Sequence, residues 1–300
     1  MINLENLVKI QKSVSLKPFT SWSVGGSADF YAQPTSEAEL REALLWAKQN
    51  EISYSVLGGG TNVLISDKGV RGLVIHLTKL NQVAEYVEQQ LVLVCECGVP
   101  KSKLLKAFLK HKLAPALFLA GLPGDVGGGV VMNAGVAEGF KPREFMELVN
   151  WIDVMRDDGR VERLTKNHLD ISYRHCRGWE PGIILRVGIS WPLAPDAGIL
   201  EKVKLANATR LKKQPLDMPS CGSVFVNPEG YKAGQLIESS GLKGFAIGGA
   251  QVSAKHANFI VNKLDATAED IASLIEHVKR VVLEKTKVRL KTEVVYLGEW

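Results

Sequence analysis

No apolar run in these 300 residues approaches the roughly eighteen that a membrane-spanning helix requires. The opening residues, Met1 to Leu7, carry no basic segment followed by an apolar core, so no secretory leader is expected. Cysteine is scarce: Cys95, Cys97, Cys176 and Cys221 are too few and too scattered for a disulfide framework. The spacing of Cys95 and Cys97 fits neither a redox pair nor half of a zinc site, so buried free thiols in a reducing cytoplasm are expected. No two histidines stand at metal-ligand spacing, and no metal site is expected. His175 and Cys176 are adjacent, which points their side chains apart and argues against a thiolate–imidazole couple. Solenoid repeats and low-complexity segments are also missing. The net charge of +5 is small and scattered, and its densest group, Lys101 to Lys112, falls on one expected helix. That argues for a solvated helix face over a nucleic-acid stripe, while a mild positive balance suits phosphate-bearing small substrates.

Glycine, by contrast, is concentrated. Leu119 to Gly135 holds six glycines, and a second run stands at Gly58–Gly60 before Thr61 and Asn62. Each glycine inside a helix costs about 0.8–1 kcal/mol against alanine, so the longer stretch is not expected to form an ordinary helix. Its backbone N–H groups suit an anion nest, for instance around a pyrophosphate. Neither cluster matches the dinucleotide fingerprint G-x-G-x-x-G or the phosphate loop G-x-x-x-x-G-K-[ST], which disfavours a Rossmann NAD site and a P-loop kinase. Ser223 sits in a proline- and glycine-bordered loop without a nearby histidine or a G-x-S-x-G elbow, so a hydrolase is unsupported.

Around these clusters the pattern mixes strands and helices. Ser36 with Glu39 forms a capping box for a helix ending near Asn50, and Thr267 with Asp270 resembles another for a helix to about Lys285. Strands are expected at Ile52–Leu57, Val63–Ser66, Leu73–Leu77, Leu91–Cys97, Glu147–Met155, Arg160–Leu164, Ile183–Trp191 and Ala257–Val261. Helices are expected over Pro100–Lys112, Leu200–Lys213 and Tyr231–Ser240. A last strand, Val288–Leu297, places Val288, Leu290 and Val294 on one face and Arg289, Lys291 and Glu293 on the other. Without strict βαβ repetition this is an α+β pattern. Pro192, Pro195, Asp196 and Gly198 mark the best domain boundary.

Eleven segments in order make the sequence similar to the UDP-N-acetylenolpyruvoylglucosamine reductase (MurB) family of bacterial cell-wall synthesis, in its compact subtype lacking the tyrosine-bearing insertion. They are Thr20–Asp29, Leu57–Leu64, Ala120–Gly128, Met132–Gly135, Tyr173–Arg174, Gln214–Leu216, Gly222–Phe225, Asn227–Pro228, Gly241–Gly244, Ile247–Ser253 and His256–Asn262, with Glu293 beyond them. The resemblance implies a lead-in over 1–19 and an FAD-binding region of the vanillyl-alcohol-oxidase type over 20–195, with subdomains at about 20–78 and 79–195. An α+β substrate-binding domain over 196–300 would follow. It implies NADPH as reductant and reduction of the enolpyruvyl group of UDP-N-acetylglucosamine enolpyruvate to UDP-N-acetylmuramate in the cytoplasm. It implies no nucleic acid, membrane insertion or protein partner.

By the same resemblance Ser223 is the proton donor, Arg174 stabilises the substrate carboxylate, and Glu293 works with it on the enolate-like intermediate. Gly58, Gly59, Gly60, Thr61, Asn62, Gly121, Pro123, Gly124, Gly127, Gly128, Asn133, Ala134 and Gly135 would line FAD. Asn227, Lys243 and His256 would contact substrate. The sequence departs from the family at Asp125, where a small hydroxyl residue is usual, and at Val226, where lysine is usual. It departs again at Cys176, in place of serine, and at Cys221, in place of alanine. A carboxylate beside a pyrophosphate is repulsive, so Asp125 is expected to point away or to weaken flavin binding. A carbohydrate oxidase of the same superfamily and a catalytically silent flavin binder are the rivals; retention of Ser223, Arg174 and Glu293 argues against both.

Overall fold

The computed structural model describes residues 8–136 and 142–300; the first seven residues of the expected lead-in lie outside them. The chain divides into two compact units. One comprises residues 1–12, 30–59 and 72–208; the other comprises 13–29, 60–71 and 209–300. No described helix is long and apolar enough to cross a membrane.

The first unit is built on a five-stranded antiparallel sheet in the order Val83–Val87, Gln90–Glu96, Ile183–Pro192, Val149–Met155, Val161–Thr165. Its central strand, Ile183–Pro192, buries Ile183, Ile184, Leu185, Val187 and Ile189. Gly188 lies opposite Trp151 in the register, and a Cβ on Gly188 would come 2.1 Å from the indole ring, so only glycine fits. Asp153, almost buried, accepts from Arg163 and Arg186 on the two neighbouring strands, which compensates its charge. Strand Tyr54–Leu57 pairs in parallel with Val70–His76, and helix Glu37–Gln49 precedes it. Ser36 caps that helix by accepting from Glu39 N–H, while the Glu39 carboxylate reaches back to Thr35. Leu40, Ala43, Leu44 and Ala47 share its buried face and join one core with Leu73, Leu93, Phe108, Phe118 and Phe145.

The second unit has its own core around helix Ala268–Thr286. Ile271, Leu274, Ile275, Val278 and Val282 form its apolar stripe. Thr267 and Asp270 close a reciprocal capping box, and Asp67 accepts from the Ala268 and Glu269 N–H groups at the same helix end. A three-stranded antiparallel sheet, Ala246–Ile247, Ala250–Val252 and Ile260–Asn262, packs into this core. Trp22 is fully buried there, donating its indole N–H to Ile260 carbonyl at 2.8 Å. Strand Val63–Ile65 pairs in parallel with Val295–Leu297.

This division differs from the contiguous domains expected. Residues 13–29 and 60–71 belong with the C-terminal segment because Trp22, Leu64 and Asp67 find their partners there. Three local expectations also need correction. A helix, Val126–Val131, runs through Gly127, Gly128 and Gly129, because Asp125 caps it and its Val126 and Val130 side chains are buried. Pro100 is the cap of helix Lys101–Lys110 and precedes its first turn. The last strand is confined to Val295–Leu297; upstream, Leu290 and Val294 are buried and Val288 is not, and a single bridge joins Thr292 to Phe225.

Candidate active site

Within the first unit the two glycine runs are held together by Asp125. Its carboxylate accepts from Gly59 N–H at 2.5 Å and from Gly128 N–H at 2.7 Å. A Cβ on Gly58 would come 2.4 Å from the same carboxylate, so glycine there makes room for it. His76 backs the loop through the Gly58 carbonyl. Burial lowers the pKa of this imidazole, opposed by the Asp125 charge and that carbonyl. The Tyr31 hydroxyl lies 2.7 Å from its Nδ1. Lys101 is buried and donates to Pro123 carbonyl at 2.8 Å. Burial brings its pKa down to about 8, with Asp125 pulling the other way. A buried cation and a buried anion thus flank the Pro123–Gly128 turn.

Most amides of the longer glycine stretch are already used. Val126, Gly127, Gly129, Met132, Asn133 and Ala134 N–H groups all donate to protein carbonyls. Among the described residues of the stretch, Gly124, Asp125 and Gly135 N–H have no protein acceptor. The available anion donors are therefore fewer than the glycine count suggests, and two of them sit at the start of the short helix.

Downstream, the stretch turns toward Arg174. Arg174 occupies a left-handed position, φ +57°, in the turn joining strands Asp170–Ser172 and His175–Arg177. It donates from Nη2 to Gly135 carbonyl at 2.9 Å and lies over the Tyr173 ring, 4.8 Å from its centre. Cys176 is buried behind this turn and His175 pairs with Asp170, so neither approaches the other as an acid–base couple.

In the second unit, Ser223 and Glu293 are carried on two chain segments that bond to each other. Glu293 N–H donates to Val224 carbonyl at 2.8 Å, and Val226 N–H donates to Lys291 carbonyl at 3.0 Å. Gly222, at φ +82°, sets the turn before Ser223. Asn62 donates to Glu293 carbonyl at 2.9 Å and accepts from Val295 N–H through its own carbonyl. Its side chain therefore braces the glutamate's backbone. The Asn227 side chain accepts from Ala233 N–H at 2.9 Å, at the start of helix Ala233–Ser239. Lys243 pairs with Glu238 at 2.9 Å. Burial, then the Lys243 charge, lowers the His256 pKa, so this imidazole is held neutral near pH 7.

Residues 214–297 match the C-terminal domain of UDP-N-acetylenolpyruvoylglucosamine reductase, and residues 28–165 match an FAD binding domain. Reductases of that name from Clostridium novyi and Heliobacterium modesticaldum are each 40% identical, over 97% and 93% of this chain and 93% and 88% of their own lengths. The crystal structure of the reductase from Thermus caldophilus is 30% identical with a TM-score of 0.79, covering 97% of this chain and all of that one. The chain belongs to the UDP-N-acetylenolpyruvoylglucosamine reductase family. Its fold is α+β, an FAD-binding region with a reductase C-terminal domain.

Membership makes FAD the group to test against these residues. Gly124 and Asp125 amides with no protein acceptor, glycines where a side chain would collide, and the buried ammonium of Lys101 fit a phosphate-bearing cofactor. The Asp125 carboxylate turns into the loops and takes two of their donors. Cys221 is buried among Val224, Phe225 and Ala233. Sequence reasoning missed Asn258. Almost buried, it accepts from Phe225 N–H and donates to Phe225 carbonyl, fixing the segment after Ser223. An amide alone between Ala257 and Phe259 in an apolar run was the available signal.

Proposed function

We propose that this chain uses NADPH and FAD to reduce the enolpyruvyl group of UDP-N-acetylglucosamine enolpyruvate, giving UDP-N-acetylmuramate for peptidoglycan precursor synthesis in the cytoplasm. The observation that carries the reading is the presence in one chain of an FAD binding domain and this reductase's C-terminal domain, with relatives similar over nearly its whole length. In this reading the first unit holds FAD and the second binds the sugar nucleotide. Gly58, Gly59 and the Gly121–Gly128 segment of that unit would line the cofactor, and the Gly124 and Asp125 amides would take its phosphates. When bound, FAD supplies the hydride-carrying chemistry that links NADPH to the substrate's double bond.

The protein's own residues supply the rest. Hydride addition at one carbon of the enolpyruvyl group leaves negative charge delocalised over the neighbouring carbon and the carboxylate. The Arg174 guanidinium, permanently charged, stabilises that charge through the carboxylate. The Ser223 hydroxyl delivers the proton that completes reduction. Glu293 is held by backbone bonds on the segment paired with that of Ser223, which supports its working on the same intermediate. Asn227, Lys243 and His256 serve the nucleotide and sugar. A neutral His256 offers a hydrogen bond without adding charge.

The test is anaerobic. The purified protein is loaded with flavin, reduced with NADPH, and mixed with the enolpyruvyl sugar nucleotide. Substrate-dependent return of the oxidised flavin spectrum, with formation of UDP-N-acetylmuramate, is expected. Reoxidation by oxygen alone, with no response to the sugar nucleotide, would turn the reading toward an oxidase.

A further inference from the structure

Asn133 and Gly135, which the resemblance places along the cofactor, both make contacts at the Arg174 turn. Asn133 is fully buried, and its side chain is spent within the protein. Its Nδ2 donates to Ser172 carbonyl at 2.9 Å and to Glu144 Oε2 at 2.7 Å, while its Oδ1 accepts from Met146 N–H at 3.1 Å. Its backbone N–H is taken by Val130 carbonyl and that of Ala134 by Gly129 carbonyl. Neither Asn133 nor Ala134 has a donor left for an anion. Ser172 is the last residue of the strand leading into the turn that carries Arg174, so Asn133 grips that turn at its root. Gly135 acts at the other end of the arginine. Its carbonyl accepts from Arg174 Nη2, and a Cβ added to it would stand 2.5 Å from Nη1 and 2.7 Å from Arg143 carbonyl. Any side chain at position 135 must therefore push the guanidinium off its seat.

We infer that Asn133 and Gly135 are positioning residues for Arg174: one fixes the turn, the other leaves the space and supplies the carbonyl that aims the guanidinium. This rests on the reading of Arg174 as the group that stabilises the substrate carboxylate. The left-handed conformation of Arg174 gives the arrangement its purpose, because a strained backbone position holds only where surrounding bonds determine it.

The experiment compares Gly135→Ala, Asn133→Asp, Arg174→Ala and the double variant Gly135→Ala/Arg174→Ala in stopped flow. The rate of flavin reduction by NADPH and the rate of its reoxidation by the enolpyruvyl substrate are read separately, with flavin content measured for each. Gly135→Ala and Asn133→Asp are expected to keep flavin reduction and to slow reoxidation roughly 10- to 100-fold, the size associated with a misplacement near 1 Å. The double variant is expected to be no slower than Arg174→Ala, since a seat has no effect once its occupant is gone. Losses that multiply in the double variant, or equal slowing of both half-reactions, would overturn the inference. Should Arg174→Ala reoxidise at the wild-type rate, the reading of Arg174 fails instead.

Discussion

Replacing Asp125 with alanine removes the cap of helix Val126–Val131 and the tie between Gly59 and Gly128 in one step. Loss of an N-cap costs about 1 kcal/mol. The Gly59 N–H, left without its acceptor, adds about 1–3 kcal/mol. The variant should therefore lose about 2–4 kcal/mol, which lowers the melting temperature by on the order of 5–15 °C. Asp125→Ser separates the two contributions, because serine still caps Gly128 N–H but is too short to reach Gly59; it should lose only the Gly59 contribution, about 1–3 kcal/mol. The assay is thermal denaturation of the flavin-free protein by circular dichroism, with urea midpoints as a check. Flavin affinity, titrated by fluorescence, is expected to move in the opposite sense for serine, since a negative charge leaves the loop and Gly59 N–H is freed. Serine and alanine variants melting with the wild type would refute the reasoning. They would mean that desolvation of the carboxylate cancels what its two hydrogen bonds contribute.

Lys101 makes a pH prediction. Its folded pKa of about 8 lies below the ordinary 10.5, so between these values the unfolded chain binds a proton that the folded one has released. Stability should then rise with pH across that window, by about 3 kcal/mol in all, and urea midpoints for Lys101→Met against wild type should show a flatter dependence. Gly188→Ala should destabilise by about 1–3 kcal/mol through its collision with Trp151, and a second substitution, Trp151→Leu, should recover part of the loss in thermal melts. Ser223→Ala should keep NADPH-driven flavin reduction and lose substrate reduction by about 100-fold or more. Wild-type turnover of substrate in that variant would remove Ser223 from its role.

Local signals in the sequence were legible where the interaction they encode is local. Ser36 with Glu39 and Thr267 with Asp270 each lie within one turn of chain, and both helices start where those residues place them. The glycine stretch was less legible because its conformation is decided by distant partners. Three consecutive glycines argue against a helix by propensity, yet the Asp125 cap and burial of Val126 and Val130 override about 3 kcal/mol of unfavourable preference. The same locality limits reading of the site. Glycine richness pointed to a cradle, but which amides are committed depends on carbonyls such as Cys97 and Val99, many residues upstream. The placement of residues 13–29 with the C-terminal segment was likewise hidden, since the bond from Trp22 to Ile260 spans 238 residues. Arg174 could be named from its motif, whereas the left-handed turn and the glycine that admits its guanidinium are tertiary facts.

The parallel pairing of Val63–Ile65 with Val295–Leu297 sets a schedule for biosynthesis. Asn62 and the Glu293 carbonyl it holds are 231 residues apart. At ribosomal rates of roughly 5–20 residues per second, the early segment waits on the order of 10–50 s for its partner. Until Cys221 and the residues after it are made, Trp22, Val24 and Leu64 lack the C-terminal core that buries them. This apolar segment therefore stays uncovered until synthesis reaches the C-terminal residues that bury it. A truncation before Val295 removes the strand that pairs with Val63–Ile65 and leaves that unit unfinished.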